Sequence, residues 1–237
     1  MSSQYQKRNL EQVQALFGKI ANRYDLTNGI LSFQIHRIWN QKLTNSLQGE
    51  TLLDLCAGTG EIAYRWLKSS KNPKNAILLD FCPEMLKIAE NKRSPFETKG
   101  HKLQFVQADA AKIPLLNHSV DCTSVAYGVR NVVDLASCFS EVHRVLKPGG
   151  TFSILELTEP KNRALKSLHR FYLNRFLPSL GGLMTQQKDA YNYLSKSIQE
   201  FIEPEKIAQQ LQSQGFEKVS ITPLMGGIAT LISSKNT

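Results

Sequence analysis

The chain has 237 residues, 41% of them hydrophobic, four cysteines and a formal charge of +9. That fits one α/β domain with a packed core, and no apolar run approaches the roughly 20 residues of a membrane-spanning helix. Cys56, Cys82, Cys122 and Cys138 are scattered, with no Cys-x-x-Cys and no His pair at ligand spacing, so reduced thiols in a cytosolic core are expected rather than zinc or disulfides.

Met1 to Leu10 carries no apolar h-region, so no secretory signal is expected. Residues 9–47 read as two helices broken at Asn28-Gly29. Strands and helices then alternate: strand 51–56, helix 60–70, strand 76–80, helix 83–92, strands 103–106 and 120–126, helix 134–146, strand 151–157. Such alternation implies a parallel sheet covered by helices. Asp134 is the expected N-cap of its helix, and Leu135, Phe139, Val142 and Leu146 form its buried stripe. Lys147-Pro148-Gly149-Gly150 should end it in a tight reversal. A basic helical stretch runs to about 177 and should break at Pro178, Gly181 and Gly182. A helix at 204–214 and strands near 217–222 and 227–233 close the chain.

The run from Thr51 to Ile62 (TLLDLCAGTGEI) is the most informative stretch. A short apolar strand ends in Asp54, a turn carries Gly58, Thr59 and Gly60, and a helix opens near Glu61. That order builds a nucleotide-cofactor pocket at the carboxyl end of a strand. A pyrophosphate on the helix N-terminus would be repelled by Asp54 and Glu61, whereas the ammonium and sulfonium of S-adenosylmethionine suit them. Asp80 ends the second strand, about 20 residues beyond the loop, where a carboxylate can accept both ribose hydroxyls. Asp109-Ala110 follows the third strand, where an acceptor can meet an adenine amino group. The fourth strand ends in Ala126-Tyr127-Gly128-Val129-Arg130-Asn131, with Tyr127 on the cofactor side and the rest of the tip facing substrate.

With these features in order, the chain resembles the ubiquinone/menaquinone biosynthesis C-methyltransferases, within the Rossmann-like S-adenosylmethionine-dependent methyltransferases. The resemblance rests on Phe17 to Asp25 (FGKIANRYD), Leu31 to Trp39 (LSFQIHRIW), Asp54 to Gly60, Tyr127 to Val132 (YGVRNV), Arg144 to Gly150 (RVLKPGG), Leu155-Glu156, Tyr191 to Leu194 and Gly226-Gly227. The Leu-Lys-Pro-Gly-Gly turn is shared by many methyltransferases; the Tyr24-Asp25, Ser32-Phe33-Gln34-x-His36 and Gly128-x-Arg130-Asn131 blocks are far more specific. The sequence departs from the pattern at Cys56, where the general loop has glycine, at Glu61, usually Asp, and at Ala126, often Ser.

The resemblance implies an α/β Rossmann-like seven-stranded methyltransferase sheet with helices on both faces. It implies an N-terminal helical cap over 1–47 and a methyltransferase domain over 48–237, with a helical insertion at 158–200 over the substrate site. It implies S-adenosylmethionine-dependent methylation of a ring carbon of a polyprenylated hydroquinone. Arg130 suits the developing phenolate, because guanidinium stays cationic and donates in a fork. Proton removal falls to water, Tyr24 or His36, with His36 first because it titrates near neutral pH. Asn131 can orient the other ring oxygen. Gln34 and the compact length lean toward demethylmenaquinol over a ubiquinone precursor.

Between Pro160 and Lys188 there is no acid, while Lys161, Arg163, Lys166, Arg170, Arg175 and Lys188 fall there. With Leu165, Leu168, Phe171, Tyr172 and Phe176 interleaved, this composition fits an interfacial helix on anionic lipid. The expected setting is cytoplasmic, peripheral on the inner face of the membrane, with a homodimer left open. The charge also raises an RNA or protein methyltransferase, but the strand tip has no proline of the kind expected for base amino methylation, and no nucleic-acid partner is expected. A non-catalytic adenosylmethionine-binding scaffold is the other rival. An NAD enzyme ranks last: Gly58-x-Gly60-x-x-Ala63 fits its fingerprint, and the flanking acids disfavour it.

Overall fold

A computed structural model describes residues 10–237. Residues 1–9, which hold most of the stretch read for a secretory signal and the start of the expected cap, lie outside the described residues. Seven strands form one sheet: β1 (Thr51–Leu55), β2 (Asn75–Asp80), β3 (Lys102–Gln107), β4 (Val120–Ala126), β5 (Leu146–Leu157), β6 (Glu217–Leu224) and β7 (Ala229–Lys235). Their order is β3-β2-β1-β4-β5-β7-β6. β1 to β5 are parallel, as the alternation predicts, whereas β7 runs antiparallel to both β5 and β6. The connection between β6 and β7 is a single 3-10 turn at Met225–Gly227, too short for the crossover of a dozen or more residues that a parallel pair needs.

Eleven α-helices accompany the sheet among the described residues: α1 (Leu10–Ile20), α2 (Tyr24–Leu31), α3 (His36–Ser46), α4 (Glu61–Lys68), α5 (Pro83–Asn91), α6 (Ser94–Glu97), α7 (Leu135–Val145), α8 (Arg163–Phe171), α9 (Leu177–Thr185), α10 (Lys188–Gln199) and α11 (Pro204–Ser213). Adjacent strand residues point to opposite faces, so Leu52 and Leu53 enter different cores. Leu52 joins Trp39, Leu43, Trp66 and Leu78 on the α3–α4 face. Leu53 joins Phe139, Val142, Phe152 and Ile207 on the α7–α11 face. A third cluster of Ile20, Leu31, Leu173, Leu177, Tyr191 and Ile198 ties α1 and α2 to the 158–200 segment. Among the described residues, no helix is long and apolar enough to cross a membrane.

Three boundaries differ from expectation, each because tertiary contact overrides a local signal. Asn28-Gly29 does not break a helix; it lies inside α2. The interruption falls at Phe33 and Gln34, both left-handed at φ 51° and 62°. Gly29 serves close packing, since a Cβ there would come within 2.7 Å of the Gln34 side chain. Pro178, Gly181 and Gly182 likewise lie within α9. The helix runs without a gap from α8 through a π-helical turn at Tyr172–Phe176 into α9, and this wider turn falls just before Pro178, the residue that lacks an N–H for the helix ladder. Gly181 admits the ring of Tyr191, which would lie 2.3 Å from an added Cβ. Finally, Lys147 to Gly150 does follow the end of α7, and Gly149 is left-handed at φ 77°, but the turn is a bulge inside β5, between Leu146 paired with Val120 and Thr151 paired with Cys122. The N–H of Gly149 donates to the Asn236 carbonyl and the N–H of Asn236 to the Gly150 carbonyl, so that backbone is paired.

Candidate active site

The strand order reverses between β1 and β4, and ligands of such sheets bind beyond the carboxyl ends of the strands at that point. A cavity of about 440 Å³ opens there. Its polar end is formed by the loop after β1, the tip of β4 and the start of α3; its apolar walls come from α1, α2 and the 158–200 helices. Of the sequence-predicted site residues, Tyr24, His36, Asp54, Gly58, Thr59, Tyr127 and Arg130 all line this one cavity. Gly60, Asp80, Asp109, Ala110 and Asn131 do not.

Asp54 is 1% exposed at the end of β1. It accepts the Ala63 N–H at 3.1 Å and the Ser124 hydroxyl at 2.6 Å from the neighbouring strand. Burial pushes its pKa up to about 7, against those two hydrogen bonds. Asp80 sits beneath the loop: one oxygen accepts the Gly58 N–H and the other the Cys82 N–H, each at 2.8 Å. Burial raises its pKa as well. It therefore shapes the glycine turn directly. Asp109 accepts the Ala111 N–H at 2.9 Å in a local turn, and Ala110 lies in the core.

The loop and the strand tip carry left-handed, non-glycine residues side by side, Cys56 at φ 51° and Tyr127 at φ 58°. Such backbone persists only where the surroundings over-determine it, and it concentrates at functional sites. α2 is fastened to this loop through Asp25. The Thr59 hydroxyl donates to Asp25 at 2.5 Å, and Lys92 reaches both Asp25 at 2.7 Å and the Thr59 carbonyl at 3.1 Å.

Arg130 is 3% exposed and ion-paired with Glu156, itself 1% exposed. The backbone N–H of Arg130 also donates to Glu156, at 3.2 Å. Asn131 receives the Tyr193 hydroxyl at 2.6 Å, so it holds a cavity-lining tyrosine rather than lining the cavity itself. Burial raises the Tyr24 hydroxyl, with the nearby Arg130 guanidinium opposing, so Tyr24 is a phenol and a weak base.

His36 is buried at the start of α3, between Ser32 and Glu61. Burial lowers its pKa, and the Glu61 carboxylate opposes the shift. Glu61 also accepts Asn40 Nδ2 at 2.9 Å, and Asn40 Oδ1 accepts the Tyr127 hydroxyl at 2.8 Å. Sequence reasoning assigned no role to Asn40, Glu156, Ser124, Lys92 or Tyr193. Asn40 had a signal, since it lies four residues after His36 and so shares its helix face. Ser124 and Lys92 had none, because only strand register and the packing of α2 bring them to the site.

The basic segment is partly neutralised within the fold. Lys166 and Arg170 both pair with Glu159, and Lys161 pairs with Glu205, so the lack of acids between 160 and 188 does not leave these cations unpartnered. Arg163 and Arg175 form no ion pair among the described residues. Beside them, Leu168, Phe171, Phe176 and Leu183 stand exposed, as do Leu26 of α2 and Phe33 of the turn after it.

The donor set fits a cationic cofactor. Asp25, Asp54 and Glu61 line the polar end, and an added Cβ on Gly58 would meet nothing within 4 Å, leaving open space over the loop. Among the described residues, no group of three or more His, Cys, Asp or Glu could hold a metal ion.

Comparison with known proteins agrees with this geometry. Residues 4–235 match the model of the ubiE/COQ5 methyltransferase family. The chain is 43% identical to a demethylmenaquinone methyltransferase of Protochlamydia amoebophila, covering 98% of this chain and 97% of that one. It is 36% identical to a demethylmenaquinone methyltransferase of Chlamydia caviae, covering 94% and 95%. It is 34% identical to a ubiquinone/menaquinone biosynthesis C-methyltransferase of Francisella philomiragia, covering 93% and 89%. In fold it is similar to a SAM-dependent methyltransferase from Aquifex aeolicus, with a TM-score of 0.64 at 16% identity over 93% of this chain and 98% of that one. The chain belongs to the ubiE/COQ5 methyltransferase family, and it is an S-adenosylmethionine-dependent methyltransferase.

Proposed function

We propose that this protein methylates a ring carbon of a polyprenylated hydroquinone in quinone biosynthesis, with demethylmenaquinol as the preferred acceptor. The names of the 43% and 36% identical relatives favour that acceptor over a ubiquinone precursor. The observation that carries the reading is the single cavity, which joins an acidic, glycine-turned end to walls such as Leu16, Leu31, Leu173 and Ile198. A ring with an isoprenoid tail needs both kinds of surface at once.

S-adenosylmethionine, when bound, supplies an electrophilic methyl group. Asp54, Gly58, Thr59 and Asp80 are the residues proposed to hold it, Asp80 by fixing the loop and accepting ribose hydroxyls. Asp109 and Ala110, which lie outside the cavity lining, are proposed to flank the adenine from the turn after β3, and Tyr127 closes the strand tip. Arg130 stabilises negative charge developing on a ring oxygen; its pairing with Glu156 holds the guanidinium in place and offsets the cost of burying it. Asn131 acts through Tyr193.

Access to a lipid-borne substrate is proposed to come through reversible contact of the exposed apolar residues of α8 and α9, with Arg163 and Arg175 beside them, with an anionic membrane surface. The test is a transfer assay with radiolabelled S-adenosylmethionine, offering demethylmenaquinol, a ubiquinone precursor and total RNA. Label entering demethylmenaquinol first is expected. Label entering RNA alone refutes the proposal.

A further inference from the structure

The reaction proposed above releases a proton from the ring carbon, and that proton needs an acceptor. Ser32 Oγ lies 2.6 Å from the Asn28 carbonyl and 2.6 Å from His36 Nδ1. A hydroxyl has one hydrogen, and the carbonyl can only accept. Ser32 therefore donates to Asn28 and accepts from Nδ1–H. That fixes the neutral tautomer with its lone pair on Nε2. Nε2 faces Glu61 Oε1 at 3.7 Å, a repulsive neighbour for a lone pair and an attractive one for an imidazolium. Glu61 is itself held by Asn40 at 2.9 Å and Arg65 at 3.4 Å, and Asn40 is held by Tyr127 at 2.8 Å. The strained pair Phe33–Gln34 turns the chain between Ser32 and His36. His36, Asn40, Glu61 and Tyr127 all line the cavity.

We infer that Ser32, Glu61 and Asn40 are positioning residues that make His36 Nε2 the acceptor of the ring proton. This rests on the ring-methylation reading. When the C–H bond of the methylated ring carbon breaks, its electron pair returns to the ring and restores aromaticity. The proton passes to Nε2, and the imidazolium so formed faces the Glu61 carboxylate. The cycle ends when this proton is lost to solvent. No oxidant or further reactant is needed.

The test is the pH dependence of turnover with demethylmenaquinol, with S-adenosylmethionine affinity measured by calorimetry on each folded variant. Only neutral His36 accepts a proton, so the wild-type rate should rise with pH through the His36 pKa. The charged groups around the ring are Glu61 and Arg65 on α4, Arg37 on its own helix and Asp25 on α2. Of these, Glu61 and Asp25 favour the protonated ring, while Arg37 and Arg65 oppose it. Glu61→Gln should therefore move the acidic limb to lower pH and lower the plateau at saturating S-adenosylmethionine, the saturation being needed because Glu61 also faces the polar end of the cavity. Ser32→Ala should lower the plateau and leave Glu61 acting on the limb. His36→Asn should abolish the limb and cost about 10²- to 10⁴-fold in turnover. Glu61→Gln is isosteric at a side chain 36% exposed, so it decides the matter even if His36→Asn does not fold. An unmoved limb in folded Glu61→Gln at saturating S-adenosylmethionine overturns the inference. So does His36→Asn within threefold of wild type. If the wild type does not methylate the quinol at all, the functional reading itself fails; normal wild-type turnover with indifferent variants fails only the proton acceptor.

Discussion

The Thr59 hydroxyl, in the glycine loop, donates to the Asp25 carboxylate of the cap at 2.5 Å, and Lys92 of the segment after α5 completes the junction. Two distant segments of chain thus meet over the polar end of the cavity. The Asp25–Lys92 pair is half-exposed, so it contributes to positioning far more than to stability.

Asp25→Ala should therefore change global stability by no more than about 1 kcal/mol, the scale of an exposed ion pair. Its main effect should be on exchange: the loop amides of residues 56–60 should lose hydrogen-exchange protection, and bound S-adenosylmethionine should dissociate faster. Unchanged protection and unchanged dissociation would show that the cap does not close through this residue.

Asp80→Ala should weaken S-adenosylmethionine binding by about 1.5–3 kcal/mol, the range for hydrogen bonds to a charged group. The loss has two sources, since Asp80 also holds the Gly58 and Cys82 N–H groups. Calorimetry on a folded variant with wild-type affinity would remove Asp80 from the cofactor site.

For Arg130 and Glu156, the two partners should separate chemistry from stability. Arg130→Lys keeps a cation beside Glu156 but loses the fork, so turnover should fall by about 10²-fold with little change in cofactor affinity. Glu156→Gln leaves Arg130 buried without its counter-charge and should cost about 3–5 kcal/mol in a denaturant titration. Near-normal turnover in Arg130→Lys would deny the phenolate role.

Asp54 makes a pH-dependent prediction. Its folded pKa of about 7 lies above its ordinary value of 3.8. A carboxyl raised in this way contributes stability while protonated; the contribution is complete below about pH 4 and lost as pH rises to about 7. A cationic cofactor should favour its ionised form. Binding of S-adenosylmethionine near pH 6 should then release protons, seen as a binding enthalpy that depends on the buffer's ionisation enthalpy. Asp54→Asn should remove that dependence.

Membrane contact is best tested at Arg163 and Arg175, because Lys166 and Arg170 are already paired with Glu159. Each basic residue close to an anionic surface contributes on the order of 1 kcal/mol. Reversing both arginines to Glu should abolish flotation with anionic vesicles and raise the KM for a long-tailed quinol, leaving a short-tailed analogue largely unaffected. Equal effects on both substrates would end the membrane role.

Several features of the fold and the site could be read directly from the chain. Apolar strands separated by amphipathic helices specify a two-faced sheet, because their side-chain periods leave no other way to bury both. Asp134 as an N-cap, the Gly58–Gly60 turn and Asp54 at a strand end are local signals, and local signals need no partner to be recognised. Tyr24, His36 and Arg130 were singled out by the family resemblance and Tyr127 by its place at the tip of the fourth strand, and all four line the cavity.

What tertiary structure alone decided was partnership. Whether Gly29 and Gly181 break helices or admit a neighbour depends on Gln34 and Tyr191 being there to be admitted. Register placed Ser124 against Asp54 and strand pairing turned the Lys147–Gly150 turn into β-structure. Burial, which no single residue announces, raised Asp54, opposed the charging of His36 and matched Arg130 with Glu156. Sequence specifies which groups are available; only the folded chain sets the dielectric and the distances that determine what each group can do.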